Sequence, residues 1–245
     1  MRQMRRRPPP DNGRVTTGGT VLVMIEAGRR RVFASALDWP GWSRSGGTER
    51  LAIAELEHYR SRYAAVAARA GLALPGAGFE VALRAPGIST DADFGSLGKA
   101  VEREYEPVGA AAAHRLAGLL EACWDEFDRA AAAAPALLPR GPRGGGRDIS
   151  EVIGHVLESE ALYAARLGLK VGRSSRPSGL TAADLDSAEV AALRARIAAV
   201  IRSGSEGEPG PRRSWPLRYA ARRIGWHVLD HAWQLAGQSG SGPAG

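Results

Sequence analysis

Cysteine is all but missing from this chain: Cys123 stands alone. A single thiol excludes an internal disulfide framework and any zinc cluster built on cysteine, and it fits a reducing compartment. Cys123 shares a helical stripe with Leu116, Leu119, Leu120 and Phe127, so a packed side chain is expected rather than a nucleophile. Lysine is almost as scarce. Only Lys99 and Lys170 are present, so the net charge of +7 and the pI near 10.3 rest on arginine. That excess is spread through a chain rich in Ala, Gly and Arg, which reads as compositional bias and argues against a nucleic-acid partner. No apolar run has the length of a membrane span. The basic, Pro-rich stretch MRQMRRRPPP has no apolar core behind it and does not read as a signal peptide. A soluble, cytoplasmic protein is expected.

What is present divides the chain in two. Residues 1–19 read as a disordered basic tail. TVLVMIEA and RRRVFASAL flank a turn at Ala27-Gly28, which predicts a hairpin. DWPGWSRSGG breaks regular structure. Thr48 then caps a helix with Leu51, Leu56, Tyr59, Tyr63 and Val66 on its apolar face, ended by Gly71. FEVALR, 79–84, reads as the next strand. Residues 20–84 are thus expected to form a β-β-α-β unit of α+β class. Residues 85–106 are a connector. Beyond Pro107 the strand signal vanishes. Four helical patterns follow, at about 108–133, 150–168, 184–202 and 215–236, separated by loops rich in Pro and Gly. They predict an all-α four-helix bundle over 107–237, with a flexible tail at 238–245.

Histidine is rare as well, with five in the chain. Two of them, His227 and His231, stand four apart in IGWHVLDHAW. On a helix they share one face with Ile224, Val228 and Leu235. His155, in IGHVLESE, is surrounded at helical spacing by Val152, Val156, Ser159 and Leu162, so it is expected to point inward too. A buried imidazole needs a partner. Each could bond a carbonyl or a carboxylate separately, or all three could share one metal ion. Three histidines with an open fourth position are the donor set of catalytic rather than structural zinc. His114 and His58 lie on polar faces and are assigned no chemistry.

The order of these motifs resembles the DinB-like superfamily of four-helix-bundle metalloproteins: a helix, a helix with GHVLESE near its start, a third helix, then H-x-x-x-H on the fourth. The resemblance covers residues 107–237. It implies His155, His227 and His231 as ligands of a divalent ion, zinc or nickel. It also implies, for some members, S-transfer or isomerisation with a low-molecular-weight thiol such as mycothiol. More weakly, LDWPGWSRSGGTERLAIAELEHYRSRY resembles small HicB-type α+β domains, which implies an accessory or dimerisation module at 20–84.

Three further residues are candidates beside the triad. Glu158, one turn after His155, reads as a proton shuttle or as an orienting partner, against a solvated surface residue. Trp226 and Arg223 read as substrate-binding groups, against core packing and an incidental arginine. Two functional classes stay open. One is a metal-dependent transferase or hydrolase acting on a small molecule, with a homodimer expected. The other is a non-enzymatic protein that uses its HicB-like unit for protein or RNA contacts.

Overall fold

The structure, a computed structural model, describes residues 19–85, 97–98, 100–134, 149–171, 187–206 and 215–237. The N-terminal part holds strands β1 (Thr20–Ala27), β2 (Val32–Ala36) and β3 (Ser43–Gly46), helices α1 (Glu49–His58) and α2 (Arg60–Arg69), and strand β4 (Ala77–Ala85). A 3₁₀ turn, Glu102–Tyr105, leads to helices α3 (Ala110–Ala133), α4 (Ile149–Arg166), α5 (Ala188–Arg202) and α6 (Leu217–Leu235). The expected terminal tails and most of the inter-helix loops lie outside the described residues, as does the expected start of the third long helix at 184–186.

The hairpin is present: β1 and β2 pair antiparallel, and Gly28 N donates to Arg31 O across the turn. The sheet has order β3-β2-β1-β4, with β4 parallel to β1. The strand β3 corrects the expectation that DWPGWSRSGG breaks regular structure. SRSG carries no β-branched residue, so its propensity is poor. Pairing to β2 from Ser35↔Ser43 to Val32↔Gly46 holds it in place. The single helix expected after Thr48 is two, joined at Tyr59. Thr48 does cap α1, its Oγ1 accepting from Leu51 N, and Gly71 at φ +71° closes α2. Leu51 is 37% exposed, and Ala52 takes its expected place in the core.

The WPGW turn locks the two parts together. Trp42 is fully buried; its indole N–H donates to Leu56 O, and its ring stacks on Tyr63 at 5.0 Å. Tyr63 in turn donates its hydroxyl to Pro40 O at 2.8 Å. Gly41, at φ +95°, lies against Gly225 of α6. A Cβ on Gly225 would stand 3.0 Å from Gly41 N and 3.2 Å from Pro40 C, so backbone meets backbone here. Gly225→Val is therefore expected to cost roughly 1–3 kcal/mol or more. By contrast, Gly118→Ala in α3, where a Cβ meets nothing within 4 Å, is expected to gain up to about 1 kcal/mol. Urea unfolding midpoints check both.

One hydrophobic core runs through both parts. It joins Val21, Val23 and Ile25 of β1 and Tyr59 and Tyr63 of the N-terminal helices to Leu119, Leu120 and Phe127 of α3 and to Val228 of α6. Helix α3 packs on α5 and α6, and α4 packs on the same two. Helix α6 is buried on nearly all sides although it carries three arginines, because its polar groups find partners in the neighbouring elements. Pro216 is its N-cap rather than part of its first turn.

An ionic lock fastens β1 to α6. The Arg222 guanidinium donates from Nε to Glu104 Oε1 (2.7 Å), from Nη2 to Glu104 Oε2 (3.0 Å) and from Nη1 to Glu26 Oε2 (3.0 Å). Glu26 Oε1 also accepts from Gly98 N. All three charged residues are under 5% exposed. A second, partly buried lock holds three of the long helices, where Arg194 of α5 pairs with the buried Glu160 of α4 and the half-exposed Asp128 of α3.

Candidate metal centre

His227 and His231 are placed by α6 and His155 by α4. The i, i+4 spacing puts the first two rings 4.7 Å apart, centroid to centroid. Packing of α4 on α6 brings the His155 ring to 5.0 Å from His227 and 5.1 Å from His231. One nitrogen from each ring lies within 4.8 Å of the other two. His155 Nε2 and His227 Nε2 are 3.1 Å apart.

The three imidazoles differ in exposure. His227 is buried, His231 is intermediate and His155 is exposed. The expectation that His155 points into the core is thus corrected. It lies on a stripe of α4 with Glu158 and Leu162, both exposed, and Leu162 is 54% so. The core of α4 is instead formed by Val152, Ile153, Val156 and Leu157 with Ser159 and Glu160. Apolar character at Leu162 therefore misstates which way this face turns. The consequence is a centre that is buried at His227 and open to solvent at His155.

The donor chemistry suits a divalent ion. Burial, then the neighbouring His231 and His155 and Arg223, push His227 well below the usual histidine range, so its ring is neutral at physiological pH. Its Nδ1 is buried with no hydrogen-bond partner. Gln234 Oε1 lies 3.0 Å from His231 Nδ1, and as an amide oxygen it accepts that proton. A hydrogen bond at Nδ1 of this kind is how an outer partner orients a metal-binding imidazole. Tetrahedral zinc with ligands at 2.0–2.1 Å sets its nitrogens about 3.3 Å apart, close to the separation of the His155 and His227 nitrogens.

The other sequence candidates fall around this cluster. Glu158 is exposed, one turn beyond His155. Trp226 is 6% exposed and packs edge-on against Phe33 at 5.9 Å, in a cluster with Leu97, while its ring stands 6.2 Å from His227. Arg223 is half-buried, lies over Trp226 and donates from Nη1 to Leu97 O at 2.7 Å. Asp230 pairs with Arg44, away from the triad in role. Two neighbours went unread in the sequence. Gln234 was legible as the i+3 residue from His231. Tyr163, whose ring is 5.7 Å from His227, reaches it only through the packing of α4 on α6.

Among the described residues, no helix is long and apolar enough to cross a membrane. No curated protein and no solved structure matches this chain. Residues 119–235, the stretch that carries all three histidines, match the family model of the DinB superfamily.

Proposed function

We propose that residues 107–237 are a DinB-type four-helix bundle and that the protein is a divalent-metal-dependent enzyme with His155, His227 and His231 as ligands. The observation that carries this reading is the convergence of three imidazoles from two helices within 4.8 Å. The superfamily match over the same stretch supports it. A bound zinc or nickel ion would supply a Lewis acid with an open position, able to hold water or a thiol in deprotonated form.

The chain's own residues do the rest. His227, kept neutral by burial, anchors the inner side. His155, at the solvent boundary, leaves a way in for a small molecule. Glu158, exposed one turn on, is the group placed to pass a proton to or from solvent. Tyr163 and Trp226 set aromatic surfaces beside His227. The reaction class is S-transfer with a low-molecular-weight thiol of the mycothiol type, or hydrolysis. The protein has no thiol to compete for that role, because burial pushes Cys123 far above the usual thiol range. The N-terminal sheet and its two helices act as an accessory module of the HicB kind.

Metal content by mass spectrometry on tag-free protein tests this. About one ion per chain is expected, lost in both His155→Ala and His231→Ala. Wild-type protein that carries no ion after supplementation with zinc or nickel would remove the enzyme reading.

A further inference from the structure

A second cluster lies at the opposite end of α6 from Leu235. Arg103 of the 3₁₀ turn, Arg115 of α3 and Arg218 of α6 gather around Asp38, in the loop after β2. Asp38 is the only carboxylate within ion-pair distance of any of the three among the described residues. Its oxygens are 3.5 Å from Arg103 Nη2 and 3.8 Å from Arg218 Nη1, too long for hydrogen bonds. Arg115 donates to the backbone oxygen of Asp38, not to its carboxylate, and its guanidinium lies over Trp39 at 4.3 Å. Among the described residues Arg218 donates to Pro107 O alone, at 3.5 Å.

Three guanidiniums therefore share one carboxylate and donate no hydrogen bond to it. Among the described residues the cluster keeps two uncompensated positive charges. Arg115 Nε, Arg115 Nη2 and Arg218 Nε are buried without a hydrogen-bond partner among the described residues. Buried donors left unmade are costly, and guanidinium donors more so. Burial pulls Arg115 below its ordinary range against the opposing pull of Tyr63 and Asp38, with a smaller push in the same direction as burial from Arg218. The N-termini of α3 and α6, which adjoin the cluster through Pro107 and Arg218, have no side-chain caps, so their dipoles add positive potential.

The geometry points to a binding site for a dianionic phosphoryl group of a small molecule, held by Arg103, Arg115 and Arg218 and contested by Asp38. A tetrahedral dianion matches both the charge left over and the forked donors left unpaired. The site is separate from the histidines. Arg218 precedes His227 by nine residues, which is about 13 Å along the helix and half a turn away around it.

Inorganic phosphate and pyrophosphate, titrated into the full chain by calorimetry at ionic strength balanced with chloride, test this. Saturable binding is expected in wild type. It should persist in His155→Ala, which separates it from any phosphate held by a metal at the triad. Arg103→Gln and Arg218→Gln, both at partly exposed positions and checked for folding by circular dichroism, should each weaken it roughly tenfold or more. Asp38→Asn removes the competing carboxylate and should tighten it several-fold. A purely structural cluster would not yield that gain. No saturable heat in wild type, equal binding in the arginine variants, or loss of binding in His155→Ala would each overturn the site.

Discussion

Arg222→Met is expected to destabilise the protein by about 3–5 kcal/mol at neutral pH, because it strands two buried carboxylates without their counter-charge. That is a large share of the stability of an ordinary domain. Methionine keeps most of the volume, so the loss measures charge rather than a cavity. In the native protein burial alone would pull the Arg222 guanidinium down. Glu104, the stronger partner, and Glu26 more than reverse this and keep it charged. Glu26 is already held above the usual carboxylate range by burial and by Glu104, against the pull of Arg222. Removing Arg222 removes that pull and leaves burial and Glu104 opposed only by the Gly98 amide.

The pH dependence follows with a definite sign. In Arg222→Met the Glu26 carboxyl of the folded state, already raised in the native protein, titrates still further above its unfolded value of about 4.3. The stability its protonated form contributes is fully present below that value and is lost as pH rises through the raised folded value. The gap between variant and wild type should therefore narrow on going from pH 8 to pH 5. Combining Arg222→Met with Glu26→Gln and Glu104→Gln should recover most of the loss at pH 8, since a neutral trio no longer buries unpaired charge. Urea unfolding at several pH values measures all of this. A loss in Arg222→Met that is independent of pH would show that packing, not charge, carries the joint.

Two helix ends were readable because local chemistry sets them: Gly71 at φ +71° closes α2, and Gly168 at φ +81° follows the end of α4. The hairpin was readable for the same reason. The Ser187 cap of α5 was not, since the pattern places that helix's start at about 184. What escaped depends on partners distant in sequence. Glu104 sits in a charged connector, VEREYEP, and looks solvated. Its burial is decided by Arg222, 118 residues away. Arg194 of α5 is buried because Glu160 and Asp128 meet it from two other helices. The strand β3 exists through pairing, not propensity. At the candidate site the two histidines of α6 were legible as a pair from spacing alone. The exposure of His155 was not, since α4 carries Leu162 on its open side, and a periodicity argument counts it as core.

Saturating zinc or nickel, added to metal-free protein at about a thousand times its dissociation constant, is expected to stabilise the fold by about 4 kcal/mol. For a chain of this size that is a rise of roughly 8–16 °C in the unfolding midpoint. His227→Ala should abolish the rise, since it removes the most buried ligand. Gln234→Ala should keep all three ligands but release the His231 ring, and so weaken the ion roughly ten- to a hundredfold. The metal-free protein should also report His227 directly. Its folded value lies below the unfolded one of about 6.5. The stability this group contributes is present above that pH and lost as pH falls through the folded value, because only the unfolded chain then takes up the proton. His227→Ala should flatten that acid limb. A wild-type midpoint unmoved by either ion, with the acid limb still sensitive to His227→Ala, would leave the histidines as a buried polar cluster without a metal. Metal stabilisation that survives His227→Ala would place the ion elsewhere in the chain.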